Sequence, residues 1–452
     1  MTVSIRPQPG PLREYRFPSF ERHSLANGVR IIVAPVRKLP VVTVLAVVDA
    51  GASMDPHGQE GLAQLTAEAL REGTKMRDGI EILEGFEKLG SSLEAGADWD
   101  SAVVSLTVLS EQLPKGLSLL AEVLTSPSFP EHEVERLKAE KLAERLQILS
   151  EPRGLADESF SRFLYSENSR YSEPMSGSSA SISRITRADI VNFFHSRYMP
   201  DAITMIVVGD ASVEEAVELI SANLGDQRGE KAASMMVVGQ EARNHRAVDI
   251  VAKLDAAQAE LRVGHVGMSR LDPDYFSVVV MNAVLGGLFS SRINLNLREQ
   301  HGYTYGASSY YDWRRIPGPF VIATAVQSEV AGEAISETLK EIDGMRSREI
   351  PDDELSLATS YLDGVFPIRY ETTSAIGSAL ANLVVFDLPD DFYDTYRQNI
   401  RAVTPANVLN AARAHVLPEK LQIVVVGDPA LVREPVEKLN FGDISIRSPT
   451  ES

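Results

Sequence analysis

The stretches "TRADIVNFFHSRYMPDAITMIVVGD" (186–210) and "TPANVLNAARAHVLPEKLQIVVVGD" (404–428) align without a gap at an offset of 218. Thr186 matches Thr404, Ala188 matches Ala406, Asn192 matches Asn410 and Pro200 matches Pro418. The run Val207-Val208-Gly209-Asp210 returns as Val425-Val426-Gly427-Asp428. Each copy predicts the same unit: a helix whose first turn is capped by a Thr hydroxyl, a turn marked by Pro, and an apolar strand that stops at Gly-Asp. An offset close to half of the 452 residues points to internal duplication.

The repeat extends upstream. "LAVVDAGASMDPHGQEGL" (45–62) and "LRVGHVGMSRLDPDYFSV" (261–278) each run from an apolar strand through Asp-Pro into a helix, with Asp55-Pro56 and Asp272-Pro273 at an offset of 217. The chain therefore divides into two homologous halves, 1–225 and 248–452, joined by a linker at 226–247 that begins in the polar "GDQRGEKAAS" (225–234). Strands and helices alternate irregularly, and "GVRIIVAPVRKLPVVTVLAVV" (28–48) suggests a hairpin-like strand pair. The expected class is α+β, two homologous α/β sandwich domains, in preference to a doubly wound parallel sheet.

Bulk composition narrows the function. Hydrophobic content of 44% and charged content of 24% suit a globular protein with substantial cores. A net charge of −19 argues against nucleic acid, which needs Lys and Arg in excess, and against anionic membranes. There is no Cys, which excludes disulfides, Cys-ligated zinc and thiol nucleophiles. The opening "MTVSIRPQPGPLREYRF" has no apolar signal-peptide core, so the expected location is cytoplasmic, or periplasmic if a signal peptide has been removed. No apolar run approaches the roughly 20 residues of a membrane span. The longest, "VVTVLAVV" (41–48), predicts a buried strand.

The segment "EGLAQLTAEALREGT" (60–74) has helical periodicity, with Leu62, Leu65 and Ala69 on one stripe and Gln64, Ala67, Glu68 and Arg71 on another. The matching helix "YFSVVVMNAVLGG" (275–287) carries Met281, Val284 and Leu285 where the first carries Gln64, Ala67 and Glu68. The second helix should be buried all round. The first keeps polar groups that either border a wet cavity or form an ordinary surface face. None of the eight His residues lies three to five positions from another, so no helical His pair for zinc exists.

These residues resemble the pitrilysin/insulinase family, which includes the mitochondrial processing peptidases, over roughly residues 20–435. That family writes its inverted zinc motif H-x-x-E-H on a helix much like "GLAHxxEHxxxxGT"; here the helix reads "GLAQLTAEALREGT". The resemblance places the two His positions at Gln64 and Glu68 and the catalytic Glu at Ala67. The third zinc ligand would fall at Glu144 in "FPEHEVERLKAEKLAERL", with Glu140 as the other register. Gln64 is a weak zinc ligand and Ala67 cannot take a proton from water, so no metal and no peptide hydrolysis are expected on this chain alone. Glu68 and Glu144 are expected as solvated carboxylates, with weak calcium or magnesium binding as the other reading.

In the second half, "LGGLFSSRINLNLREQHGYTYGASSYYDW" (285–313) resembles the family's "GGxxSSRLxxxLRExxGLxYxxxS" signature. A helix with Leu295, Leu297 and Arg298 is expected to stop at Gly302, followed by a strand with Tyr303, Tyr305 and Ala307 on one face. Arg298 and Tyr305 match the pair that the family sets opposite its zinc. A Tyr hydroxyl can donate to a tetrahedral oxyanion and an Arg can bind a substrate carbonyl. Without the resemblance, the same residues read as a helix cap and a core aromatic. "GGLFSS" lacks the Lys of a phosphate loop, and "SGSSASIS" (176–183) reads as a surface loop before a capped helix.

The family builds a clamshell of four homologous domains, so a chain of this length corresponds to half of one. The implied function is a non-catalytic, substrate-binding subunit of a heterodimeric zinc peptidase. Its partners would be a homologous subunit carrying H-x-x-E-H and the zinc, and unfolded peptides. The alternative is a catalytically dead homodimeric peptide-binding or structural core protein. Peptides would add as a strand near "GSSLEAGADWDSAVVSLTV" (90–108), where the family's usual Asn-Ala stands here as Glu94-Ala95.

Overall fold

The two repeated strands lie in the interior of two six-stranded sheets, and every residue in both is buried. An apolar run with no alternation is what a strand covered on both faces requires. The computed structural model describes residues 14–229, 240–254 and 256–449; residues 230–239 of the expected linker lie outside the described residues.

The strands of the first half are β1 (Glu21–Ser24), β2 (Arg30–Pro35), β3 (Val41–Val48), β4 (Glu94–Ala97), β5 (Ala102–Leu109) and β6 (Ile203–Gly209). Those of the second are β7 (Ala247–Ala252), β8 (Gln258–Val266), β9 (Ala307–Tyr311), β10 (Pro319–Gln327), β11 (Gln422–Gly427) and β12 (Asp443–Arg447). Their orders are β1-β2-β6-β3-β5-β4 and β12-β7-β11-β8-β10-β9. Five strands correspond one to one. β2 and β7 run parallel to β6 and β11, and every later pairing in each sheet is antiparallel. The sixth position is filled by β1 from the chain start in one sheet and by β12 from the chain end in the other.

One sequence expectation is corrected here. The segment 28–48 is not a hairpin: β6 inserts between β2 and β3 and bonds to both. Sequence-adjacent strands are neighbours in most folds, but the duplicated unit closes each sheet with a strand made much later in the chain.

Seven helices matter below: α1 (Leu62–Ala69), α2 (Glu131–Ser150), α3 (Pro152–Leu164), α4 (Arg187–Arg197), α5 (Tyr275–Asn282), α6 (Thr373–Val385) and α7 (Pro405–His415). The repeated helices α4 and α7 are capped as the sequence indicates. The Thr186 hydroxyl accepts from Asp189 N–H and that of Thr404 from Asn407 N–H. α1 packs on α4 and α5 on α7, so the duplication holds for helix pairs as well as sheets.

The remaining faces are covered by exchange. α3, from the first half, lies on β8 and β11 of the second sheet, where Leu155, Phe160 and Leu164 join Val321, Val424 and Val426 in one core. α6, from the second half, lies on β3 and β6 of the first sheet, where Ile376 and Leu380 join Leu45, Val47, Ile206 and Val208. Glycines let both approach closely. A Cβ at Gly264 would meet Phe160 at 3.0 Å, and one at Gly377 would meet Leu45 at 2.5 Å. The segment before β1 adds a third tie, with Tyr15 donating to the Tyr370 carbonyl at 2.7 Å and Phe17 stacked on Tyr393 at 4.7 Å.

The helical run Tyr275–Gln300 is long and apolar enough to cross a membrane by length and composition, which the sequence reading did not foresee. Its Val278, Val280, Met281 and Leu285 are built into the core of the second half.

Candidate functional site

α1 enters through Gly61, whose left-handed φ of 97° fits glycine. Its first turn is capped from upstream. Asp55 is buried and accepts from Gly61 N–H and Ala63 N–H, each at 2.8 Å, and pairs with Arg170 at 3.0 Å. Burial pushes the Asp55 carboxyl up to about 6 against the opposing pull of Arg170 and the two backbone donors. The Asp-Pro signal upstream of the helix is thus an anchor that fixes its start.

The three degenerate motif positions have separate fates. Gln64 turns its amide to β4 and donates to the Ala97 carbonyl at 3.3 Å. Ala67 is fully buried in the apolar core of the first half, where its methyl group packs. Glu68 pairs with Lys141 on α2 at 2.8 Å, and the same ammonium reaches Glu144 at 3.1 Å. Glu144 is the solvated carboxylate expected, with its side chain 60% exposed, whereas Glu68 is 18% exposed; the two share one lysine. Burial pulls the Lys141 ammonium down, but the hydrogen bonds and charges of Glu68 and Glu144 outweigh it and leave its pKa raised.

The two candidates for the third ligand position meet different cations. Glu140 is bound to Arg136 at 2.6 Å, and Arg136 also holds Glu72 at 2.6 Å and Glu133 at 2.5 Å. Glu144 is the carboxylate that meets the α1 side chain through a shared cation. This arrangement does not fit zinc. It offers one neutral amide committed to a strand, one methyl group, and two carboxylates bridged by an ammonium. Lys141 was missed in the sequence, although its place three residues before Glu144 on a helix is a recognisable ion-pair spacing.

The second set lies where the helical run meets β9. The helix stops at Gly302, with φ of 66°, as the sequence predicts. Tyr303 and Tyr305 are not in a strand; β9 begins at Ala307. A local turn displaces them: Gly306 N–H donates to the Thr304 hydroxyl at 3.0 Å, and Thr324 donates to the Gly306 carbonyl at 3.0 Å. Asn294 clamps this junction, donating to the Phe289 carbonyl at 2.5 Å and accepting from Ala307 N–H at 3.0 Å.

As a result Tyr305 is 91% exposed, and no hydrogen bond or ion pair within the described residues engages it. It lines a groove of about 860 Å³ together with Phe289, Tyr310, Arg153 and Arg262. Arg298 lays its guanidinium 4.5 Å over the Phe289 ring and is 3.5 Å from Glu299, so it does not cap helix carbonyls. Phe289 carries Arg298 on its ring and lines the groove beside Tyr305. Among the described residues no hydrogen bond or ion pair joins the Gln64/Glu68/Glu144 set to the Arg298/Tyr305 set. They are two separate places on one chain.

Comparison with known proteins follows the same division. Residues 31–173 match the model of the insulinase family, peptidase family M16, and residues 184–362 match that of the peptidase M16 inactive domain. An uncharacterized zinc protease of Streptomyces coelicolor is 22% identical over 92% of this chain and 91% of its own. A protein named non-peptidase homolog YmxG from Helicobacter pylori is 24% identical over 84% of this chain and 87% of its own. The crystal structure of a peptidase M16 inactive domain from Pseudomonas fluorescens superposes with a TM-score of 0.85 at 27% identity, covering 91% of this chain and 98% of that one. A crystal structure of a protease from Helicobacter pylori shares the fold, with a TM-score of 0.82 at 19% identity over 91% of this chain and 100% of that one.

Proposed function

Because this chain belongs to the M16 peptidase family, and Gln64, Ala67 and Glu68 stand where its zinc motif has His, Glu and His, we propose that it is the non-catalytic subunit of a two-chain zinc peptidase. The partner is a homologue that carries H-x-x-E-H and brings the metal. This chain contributes Arg298 and Tyr305 to a composite site, the Tyr hydroxyl donating to the oxyanion of the attacked carbonyl and the guanidinium binding a neighbouring carbonyl of the peptide.

The observation that carries this reading is Tyr305. A tyrosine 91% exposed, with its hydroxyl uncommitted and a large groove beside it, is poorly explained as a packing residue. It is well explained as a group that meets its target across an interface. The short β4 at the sheet edge offers unpaired backbone groups to an extended peptide, with Glu94 and Ala95 lining that edge.

The test mixes this chain with a purified homologue bearing H-x-x-E-H and measures peptide cleavage. Arg298→Ala and Tyr305→Phe should each lower the rate of the mixture by about 10²-fold, as loss of one oxyanion or carbonyl donor does. An unchanged rate for both overturns the composite site.

A second reading draws support from the Helicobacter relative whose name is non-peptidase homolog. Under it the chain is a homodimer that binds peptides or serves an assembly without turnover. Co-purification from the native source separates the two: a zinc-bearing partner of similar size supports the first, a metal-free homodimer the second.

A further inference from the structure

Between the two halves, bordering the Tyr305 groove at Tyr310, lies a cavity of about 740 Å³, a volume typical of small-molecule sites. Its walls are mostly aromatic. Tyr275, Phe392, Tyr393 and Tyr396 come from the second half, Trp313 from the β9–β10 loop, and Trp99 from the first half.

Two cations line this wall, the exposed Arg369 and the buried Arg270, and only Arg270 is set among the rings. Arg270 is 9% exposed, and its guanidinium sits 3.6 Å from the Tyr275 ring centroid, 4.8 Å from that of Phe392 and 5.6 Å from that of Trp313. Its Nη1 is buried without a hydrogen-bond partner among the described residues, and no described carboxylate pairs with it. Aromatic faces hold a cation but accept no directed N–H bond of carboxylate strength.

The acids in the same cavity are already engaged. Asp98 accepts from the N–H groups of Asp100 and Ser101 at 2.8 and 2.7 Å. Asp100 accepts from Arg315 N–H at 2.9 Å, and Asp312 accepts from Arg314 Nε at 3.0 Å. A buried charge with no counter-charge is the exception in folded proteins and marks a place where an anion completes the structure.

We propose that this cavity binds a small carboxylate carried on an aromatic body, with the carboxylate on Arg270 and the ring among the surrounding aromatic side chains. The source is either the C-terminal end of a short peptide or a free aromatic acid. The proposal is independent of the composite peptidase site, since it uses none of its residues.

The chain contains two Trp residues, Trp99 and Trp313, and both line this cavity, so intrinsic fluorescence reports on it directly. The purified full chain is titrated with 3-phenylpropionate and with the dipeptide Gly-Phe, and with the amide of each as the uncharged control. At least one acid should give a saturable change, and its amide should bind about tenfold more weakly or less, the loss expected when a charge-assisted hydrogen bond is removed. Tighter binding of Gly-Phe identifies a peptide end; tighter binding of 3-phenylpropionate identifies a free acid. Arg270→Gln, checked by circular dichroism, should lose the preference of acid over amide. If that variant does not fold, Ser378→Phe, at an exposed position on the cavity wall, should block the titration while leaving the fold intact. No saturable response to either acid, equal affinity for acid and amide, or acid binding to Arg270→Gln at wild-type affinity each overturns the proposal.

Discussion

Lys141 decides the chemistry of the first half. Its ammonium stands between Glu68 and Glu144, the carboxylates at two positions that the family resemblance assigns to zinc ligands. It supplies one positive charge where zinc would supply two, and it demands no coordination geometry. This makes a prediction about reversion. The triple variant Gln64→His, Ala67→Glu and Glu68→His should not hold stoichiometric zinc while Lys141 remains; adding Lys141→Ala should bring about one zinc per chain, read by metal analysis after gel filtration. One zinc per chain in the triple variant alone sinks the idea. The missing ligands are legible in the sequence. The lysine is not, because in one dimension it reads as a solvated partner of Glu144, and only the packing of α1 against α2 brings Glu68 to it. The spacing of Arg298 and Tyr305 is legible too, but not the exposure of Tyr305, which a Thr304–Gly306 turn creates ahead of β9.

At the scale of elements, the duplicated helix–turn–strand unit is readable because its signals are local: a Thr cap, a Pro turn and an unbroken apolar strand. The exchange of α3 and α6 is not. An amphipathic helix states that one face is buried but not which sheet buries it. The same limit explains the mistaken hairpin, since β2 and β3 look alike whether they touch or flank β6. The exchange is energetically substantial. Phe160 is 2% exposed and sits at the centre of the α3 contact, packed toward Gly264. Phe160→Ala should therefore destabilise the chain by about 3–5 kcal/mol, seen as a lower denaturant midpoint at unchanged slope. A loss below about 1 kcal/mol, ordinary for a surface change, would mean that α3 contributes little to the second sheet.

For the whole molecule, the exchange means that neither half owns a complete core. Residues 1–225 alone leave β3 and β6 without α6; residues 248–452 alone leave β8 and β11 without α3. Each half expressed by itself should be insoluble or lack a cooperative unfolding transition, whereas the two co-expressed should co-purify as one particle. A half that unfolds cooperatively on its own, with near full-length stability, contradicts this. A chain cut between the two halves should stay whole, because two helices and the segment before β1 cross the division. The same interlock fixes where motion can occur. A gape between these halves would have to peel two helices from their sheets at once, so the chain moves as a single jaw. On the proposed two-chain reading, an opening wide enough to admit a peptide would form at the seam between this chain and its partner.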